Sequence, residues 1–156
     1  MSGSASAALD SAAVPYEVIR HGPVGSVAEA AAALGMEVAD IVKTIVIRRG
    51  DNDYVFVLVP GDRVISWPRL RALLGVNRLS LPDAGAAMDA TGYERGTITP
   101  FGSTTAWPVV ADERVRGRRI TLGAGERGVA IALAADEALR TLAATVADVT
   151  DPEPPR

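Results

Sequence analysis

The chain has 156 residues, 48% hydrophobic and 22% charged, with a formal net charge of −3, which describes one globular domain able to bury its own core. It has no cysteine and one histidine, His21, so disulfides, thiolate metal sites, cysteine nucleophiles and multi-histidine metal centres within one chain are excluded. A serine triad would have a single candidate base, and the acidic balance argues against a strong non-specific nucleic-acid binder, though not against a protein that grips only a nucleic-acid end.

Residues 1–13 are small and polar and are set apart as a flexible N-terminal segment, with a short helix expected at Ala7–Ser11. No positive side chain precedes Arg20, so a signal peptide is not expected. No apolar run approaches the ~20 residues that span a bilayer, and a cytoplasmic protein without membrane contact follows as the expectation. Residues 15–21 alternate well enough for a first strand, with His21 at its end as a surface residue. Ser26-Val27-Ala28-Glu29 is a capping box opening an Ala-rich helix that stops at Gly35, and residues 36–41 add a helical turn. Residues 41–49 and 53–59 read as two antiparallel strands joined across Gly50. Ser66 is expected to cap a helix through Leu74, with Pro68 in its first turn and Gly75 after its end. Residues 78–81 read as extended, and 83–90 as a short helix closed by Thr91-Gly92. Residues 93–102 are too rich in Gly and Pro for a central strand. Strands are expected at 106–111, 119–122, 129–133 and 145–149, with a helix at 136–144 and a disordered, Pro-rich tail at 151–156. Strands outnumber helices without strict alternation. The fold class is therefore α+β, a single domain over 14–150 with a curved mixed β-sheet flanked by short helices.

The strand at 41–49 carries the most pointed feature. Of 16 Lys+Arg, Lys43 is the only lysine. It shares a face with Ile41, Ile45 and Ile47, while Thr44, Val46 and Arg48 take the other. A compact ammonium enters a narrow pocket and responds to burial in ways a guanidinium does not, which points to a functional site. The alternative is a strand-end lysine snorkelling to water, with the arginine bias a habit of the genome.

Gly96-Thr97-Ile98-Thr99-Pro100 is a second candidate, because glycine and proline this close fix a loop path whose free N–H groups can face a carbonyl oxygen; an ordinary connection is the plain alternative. Gly123-Ala124-Gly125-Glu126-Arg127-Gly128 has dinucleotide-fingerprint spacing, but a strand follows where that motif needs a helix, so a hairpin turn is expected. The basic run 114–119 reads as a solvated loop.

Taken together, Val42-Lys43-Thr44 opening an apolar strand, Gly92-Tyr93 followed by Gly96-x-x-x-Pro100-Phe101-Gly102, and the glycine loop leading into Val129-Ala130-Ile131-Ala132-Leu133 resemble the YbaK / prolyl-tRNA synthetase editing-domain family of aminoacyl-tRNA deacylases. The resemblance covers roughly residues 14–149, and Lys43 falls at the family's functional lysine. It implies a metal-independent ester hydrolase without cofactors, free-standing and acting in trans on the 3′ end of mischarged aminoacyl-tRNA, commonly tRNA(Pro) carrying a small wrong amino acid. A prolyl-tRNA synthetase is the implied candidate partner, and no DNA is expected. Lys43 and Gly96 would be the catalytic residues, and Thr44, Thr97, Ile98, Thr99, Pro100, Phe101 and Gly125 would bind substrate. Two departures touch the amino-acid pocket: no histidine follows His21, and Val129-Ala130 stand where some subgroups carry a polar or acidic residue. A non-catalytic aminoacyl- or nucleotide-binding regulatory module, and a hydrolase for another small ester, are the other readings of the same scaffold.

Overall fold

The structure is a computed structural model that describes residues 4–22 and 26–154. Among these, α1 (Ser4–Ser11), β1 (Glu17–Arg20) and α2 (Val27–Leu34) lead through a 3-10 turn (Val38–Asp40) into the hairpin β2 (Val42–Gly50) and β3 (Asp53–Pro60). Then come β4 (Arg63–Ile65), α3 (Trp67–Leu74) and α4 (Ala84–Thr91). β5 (Val109–Asp112), β6 (Arg119–Gly123), β7 (Val129–Ala134), α5 (Ala135–Thr141), β8 (Thr145–Ala147) and β9 (Thr150–Pro152) complete the chain. The mixed α+β architecture is the one expected.

One sheet has the order β2-β3-β5-β8, antiparallel in its first pairing and parallel in the other two. A second, β1-β7-β6, is antiparallel throughout, and β4-β9 form a separate ribbon. An isolated parallel bridge between Ile41 and Thr121 ties β6 to the entry of β2. The unbroken apolar run of β3 has a simple cause. Tyr54, Phe56 and Leu58 enter the larger core, whereas Val55, Val57 and Val59 enter a second core built with Leu70, Val110 and Val149, so both faces are covered. β2 alternates likewise, with Val42 and Val46 facing the larger core and Ile47 the smaller.

Several local expectations hold. Ser26 Oγ accepts from the Glu29 N–H at 3.1 Å, the helix expected at 83–90 is present as α4, with Asp83 standing outside it as an N-cap that accepts from the Ala86 N–H at 2.8 Å, and the loop 124–128 joins antiparallel β6 and β7 rather than opening a helix. Others need correction. The segment set apart as flexible contains α1, which begins earlier than expected because Ala5 and Leu9 are fully buried in the larger core; a buried Leu of this kind contributes about 1.5–3 kcal/mol. The expectation for residues 1–3 lies outside the described residues. The tail set apart as disordered contains β9, which pairs with β4 from Thr150↔Ile65 to Pro152↔Arg63. Composition hid it because the attraction is distant. Arg63 Nε donates to Thr150 Oγ1 at 2.6 Å, and Arg69 donates to Asp151 Oδ1 at 2.8 Å and to the Thr150 carbonyl. Residues 155 and 156 again lie outside the described residues. Ser66 occupies the N-cap position of α3, but its side chain makes no cap bond; it is buried, and its N–H donates to the Val149 carbonyl at 2.8 Å. Finally, residues 78–81 form no strand and touch β2 through a single bridge, Arg48↔Ser80.

Candidate functional site

β2 has β3 along one edge. Along the other it is held, among the described residues, only at its ends, by the Ile41–Thr121 bridge and by the Arg48–Ser80 bridge. Between these two ties the edge is open, and a cleft of about 420 Å³ fills the gap. Residues 42–46 form one wall. Arg95, Gly96 and Ile98 form the opposing loop, Gly123 lies at the base of the hairpin, and Leu81, Pro82, Ala84 and Ala87 supply an apolar flank from the start of α4. The volume suits a compact small-molecule moiety.

The strand's alternation decides what the open edge offers. Arg48 exchanges both backbone hydrogen bonds with Ser80, at 2.8 and 3.1 Å. Stepping back by twos, Val46 and Thr44 turn their N–H and C=O groups to the same side, toward the cleft. A row of backbone donors and acceptors thus faces the opposing loop. In addition, Thr44 Oγ1 is buried and has no hydrogen-bond partner among the described residues, a condition that usually marks a place for a ligand or an ordered water.

Lys43 lines the cleft and is half-buried. Its Nζ donates to the Arg63 carbonyl at 2.6 Å. Burial lowers its pKa from that of an ordinary lysine, while the charges of Glu153 and Asp62 work in the opposite direction. The ammonium therefore sits in a partly desolvated position where an incoming anion or polarised carbonyl interacts with it more strongly than it would in water.

The loop across from it is fixed from behind. Thr97 is buried, its N–H and hydroxyl both donating to the Glu94 carbonyl at 3.0 and 2.8 Å. Thr99, Pro100 and Phe101 are buried as well. Gly125 N–H donates to the Thr97 carbonyl at 2.9 Å, and Gly123 carries no Cβ that would meet the Ile98 carbonyl at 2.9 Å. Gly96 has φ +92° with open space where a Cβ would stand, so backbone conformation rather than crowding selects glycine there. The N–H groups of Gly96 and Ile98 have no partner among the described residues.

Of the residues expected at the site, Lys43, Thr44, Gly96 and Ile98 come together on one cleft. Thr97, Thr99, Pro100 and Phe101 do not line it; they hold the loop's path from within the core. Gly125 also stands away from it. A Cβ there would meet the Tyr93 ring at 2.5 Å, and Tyr93, whose hydroxyl donates to the Phe101 carbonyl at 2.7 Å, is what that glycine accommodates. His21 does not line the cleft; its N–H continues the pairing toward the Gly128 carbonyl at 2.9 Å. Sequence reasoning missed Arg95, Gly123 and the apolar flank. Arg95 had a signal, since it immediately precedes Gly96; the flank had none, because nothing local says which side of α4 meets β2.

Lys43 and Arg95 thus contribute to a cleft that also offers backbone donors and an orphaned hydroxyl. No His, Asp or Glu lines it, and no three His, Asp or Glu side chains gather into a metal-binding group among the described residues. It can hold an anionic or carbonyl-bearing group and stabilise negative charge, but a proton acceptor must come from water or from the substrate. The fold and cleft define a small α+β domain for a compact polar substrate. Residues 21–141 match the aminoacyl-tRNA editing domain, and the chain belongs to that family, as its motifs implied.

Over 137 residues the chain is 32% identical to EbsC of Enterococcus faecalis, a proposed Cys-tRNA(Pro)/Cys-tRNA(Cys) deacylase, covering 85% of this chain and 80% of that one. Over 100 residues it is 32% identical to the proline–tRNA ligase of Thermosipho melanesiensis, covering 64% of this chain and 17% of the ligase. The chain therefore corresponds to a minor part of such ligases. A solved structure described as that of a proposed trans-editing enzyme for prolyl tRNA synthetase superposes with a TM-score of 0.86 at 26% identity, covering 97% of this chain and 99% of the other.

Proposed function

We propose that this protein is an editing hydrolase acting in trans, cleaving the ester that joins a small, wrongly attached amino acid to the 3′-terminal ribose of tRNA, with tRNA(Pro) as its substrate. The observation that carries this reading is the single cleft that unites Lys43 with the Gly96–Ile98 backbone. Family membership and near-complete coverage of a solved structure described in those terms support it.

In this reading Lys43 holds the anionic or carbonyl end of the substrate, and Arg95 adds a second positive charge at the rim. The free N–H groups of Gly96 and Ile98 donate to the developing oxyanion when water adds to the ester carbonyl. Collapse of that intermediate expels the ribose 3′-oxygen, which takes a proton, leaving a free amino acid and deacylated tRNA. With no carboxylate or histidine in the cleft, the proton leaves the attacking water by way of solvent or the adjacent ribose hydroxyl. An aminoacyl ester is activated enough for positioning and oxyanion stabilisation to suffice, a single oxyanion donor being worth about 10²–10³ in rate. The same donor set, lacking His, Cys, Asp and Glu, supports catalysis without a metal. Thr44 and the open β2 edge would bind the amino-acid or ribose moiety, while Thr97, Thr99, Pro100, Phe101 and Gly125 act as scaffold. No helix among the described residues is long and apolar enough to cross a membrane; with tRNA as substrate, we place the protein in the cytoplasm, with a prolyl-tRNA synthetase as a partner. The missing side-chain base also favours a second reading, a module that binds an aminoacyl group without turning it over.

Hydrolysis of a panel of mischarged tRNAs by the wild type and by Lys43→Ala decides between them. Turnover of at least one small mischarged amino acid, reduced about 100-fold or more in the variant, is the expected result. Binding without turnover across the panel would establish the second reading instead.

A further inference from the structure

The segment that walls the cleft also walls a second hollow. Beyond the Arg48–Ser80 bridge lies a shallow depression of about 720 Å³ to which Arg48, Arg49, Arg71 and Arg78 all contribute, with Asp51 the one carboxylate in its lining among the described residues. In a chain of net charge −3 this is a local reversal of sign. Two of the four guanidiniums are neutralised, Arg48 by Asp51 at 2.5 Å and Arg49 by Asp53 at 3.0 Å. Arg71 and Arg78 make no ion pair or side-chain hydrogen bond among the described residues. Like charges gathered in one concavity repel each other, and their field is strongest toward an anionic ligand entering it. Guanidinium forks match phosphate oxygens in pairs, which suits phosphodiesters better than scattered carboxylates.

Position adds to the charge argument. Ser80 lines the hollow, while the next two residues, Leu81 and Pro82, line the cleft. Leu81 is 60% exposed between the two, an apolar platform open to solvent. From Lys43 to Arg48 is five residues of strand, about 17 Å at 3.3 Å each. That is the length of about five stacked nucleotides at 3.4 Å each, close to where the single-stranded 3′ end of a tRNA joins its stem.

We infer that the arginine hollow is the docking surface for tRNA backbone phosphates upstream of the ester held in the cleft. The inference rests on the deacylase reading for the identity of the nucleic acid. It explains how an acidic chain grips one end of a tRNA: the sequence-independent contact is concentrated beside the reacting end.

The test is binding of deacylated tRNA(Pro) across a salt series to the wild type, to Arg71→Glu/Arg78→Glu, and to Arg20→Glu/Arg140→Glu, which changes the net charge equally on residues outside both hollows. Losing two phosphate contacts should weaken low-salt binding at least 10-fold and flatten the log Kd against log salt slope by about 1.4–1.8, at 0.7–0.9 per phosphate; the control pair should stay within about 2-fold. Since neither arginine is ion-paired, melting should be unchanged, and Arg71→Gln/Arg78→Gln provides the same test should charge reversal unfold the chain. Equal affinity and slope in wild type and hollow variant, equal losses in both pairs, or no tRNA binding by the wild type would each overturn the inference. Because deacylated tRNA carries no ester, this outcome is independent of turnover. Active editing with an inert hollow sinks the docking surface alone, and salt-sensitive docking without hydrolysis sinks the deacylase alone.

Discussion

β3 has a strand on each side, β2 antiparallel and β5 parallel, and its side chains from Tyr54 to Val59 are divided between two cores. β2 is less apolar, carrying Lys43, Thr44, Arg48 and Arg49, and pairs with β3 from Val42 to Gly50 with an irregularity near its end; among the described residues its outer edge is tied only at Ile41 and Arg48. The difference shows how one sheet can hold a fold and bind a ligand with adjacent strands. A strand paired on both edges has no backbone group left to offer. One left open between two ties offers a short row of donors and acceptors on a rigid base, too short and too well covered by the 95–98 loop to recruit another strand.

Substitutions should separate the two strands cleanly. The largest effect belongs to β3: Phe56→Ala, at a residue only 1% exposed, should cost about 3–5 kcal/mol of stability, read as a lower denaturant midpoint. A loss below 1 kcal/mol would mean that the core does not depend on β3 as described. On β2 the effect should fall on activity. Burial depresses the folded-state pKa of Lys43, so its charge is lost at lower pH than in the unfolded chain. Enzymatic deacylation, corrected for hydroxide-driven loss of the free ester, should therefore turn down below pH 10.5, the ordinary lysine value. A rate still on its plateau past that pH would remove the ammonium from the mechanism. The linkage sign is the reverse of a favourable ion pair. Between the two pKa values the unfolded chain binds more protons, so the Lys43 contribution to stability rises with pH there, and Lys43→Met should abolish that rise. The smallest effect is expected at Thr44. Its hydroxyl is buried without a partner, so Thr44→Val should leave stability equal or slightly higher while reducing turnover several-fold, about 1 kcal/mol of lost substrate contact. A clear loss of stability with unchanged turnover would show that the hydroxyl serves the fold.

Most of the fold was legible because its signals are local. The Ser26 cap, the turn between β2 and β3, and the hairpin after Gly123 are each written within about five residues, the reach of capping and turn chemistry. The early start of α1 and the whole of β9 were not legible, for one reason: Ala5 and Thr150 are placed by partners far along the chain, the larger core in one case and Arg63 in the other. The site divides the same way. The singular Lys43 and the Gly96–Pro100 spacing could be read directly, whereas the turning of Thr97, Thr99 and Phe101 into the core could not.

From the amino-acid order alone came the strand and helix periods, their stops, the one lysine among arginines and the motifs that place the chain in the editing-domain family. Folding in three dimensions decided which edge of β2 stays unpaired, that the Lys43 amine rests on the Arg63 carbonyl, and that four arginines from β2, α3 and the segment after it share one hollow. Periodicity is a property of neighbours within a turn or two of the chain. An unfilled edge, a desolvated amine or a gathered charge is a property of what the rest of the molecule brings, or fails to bring, alongside.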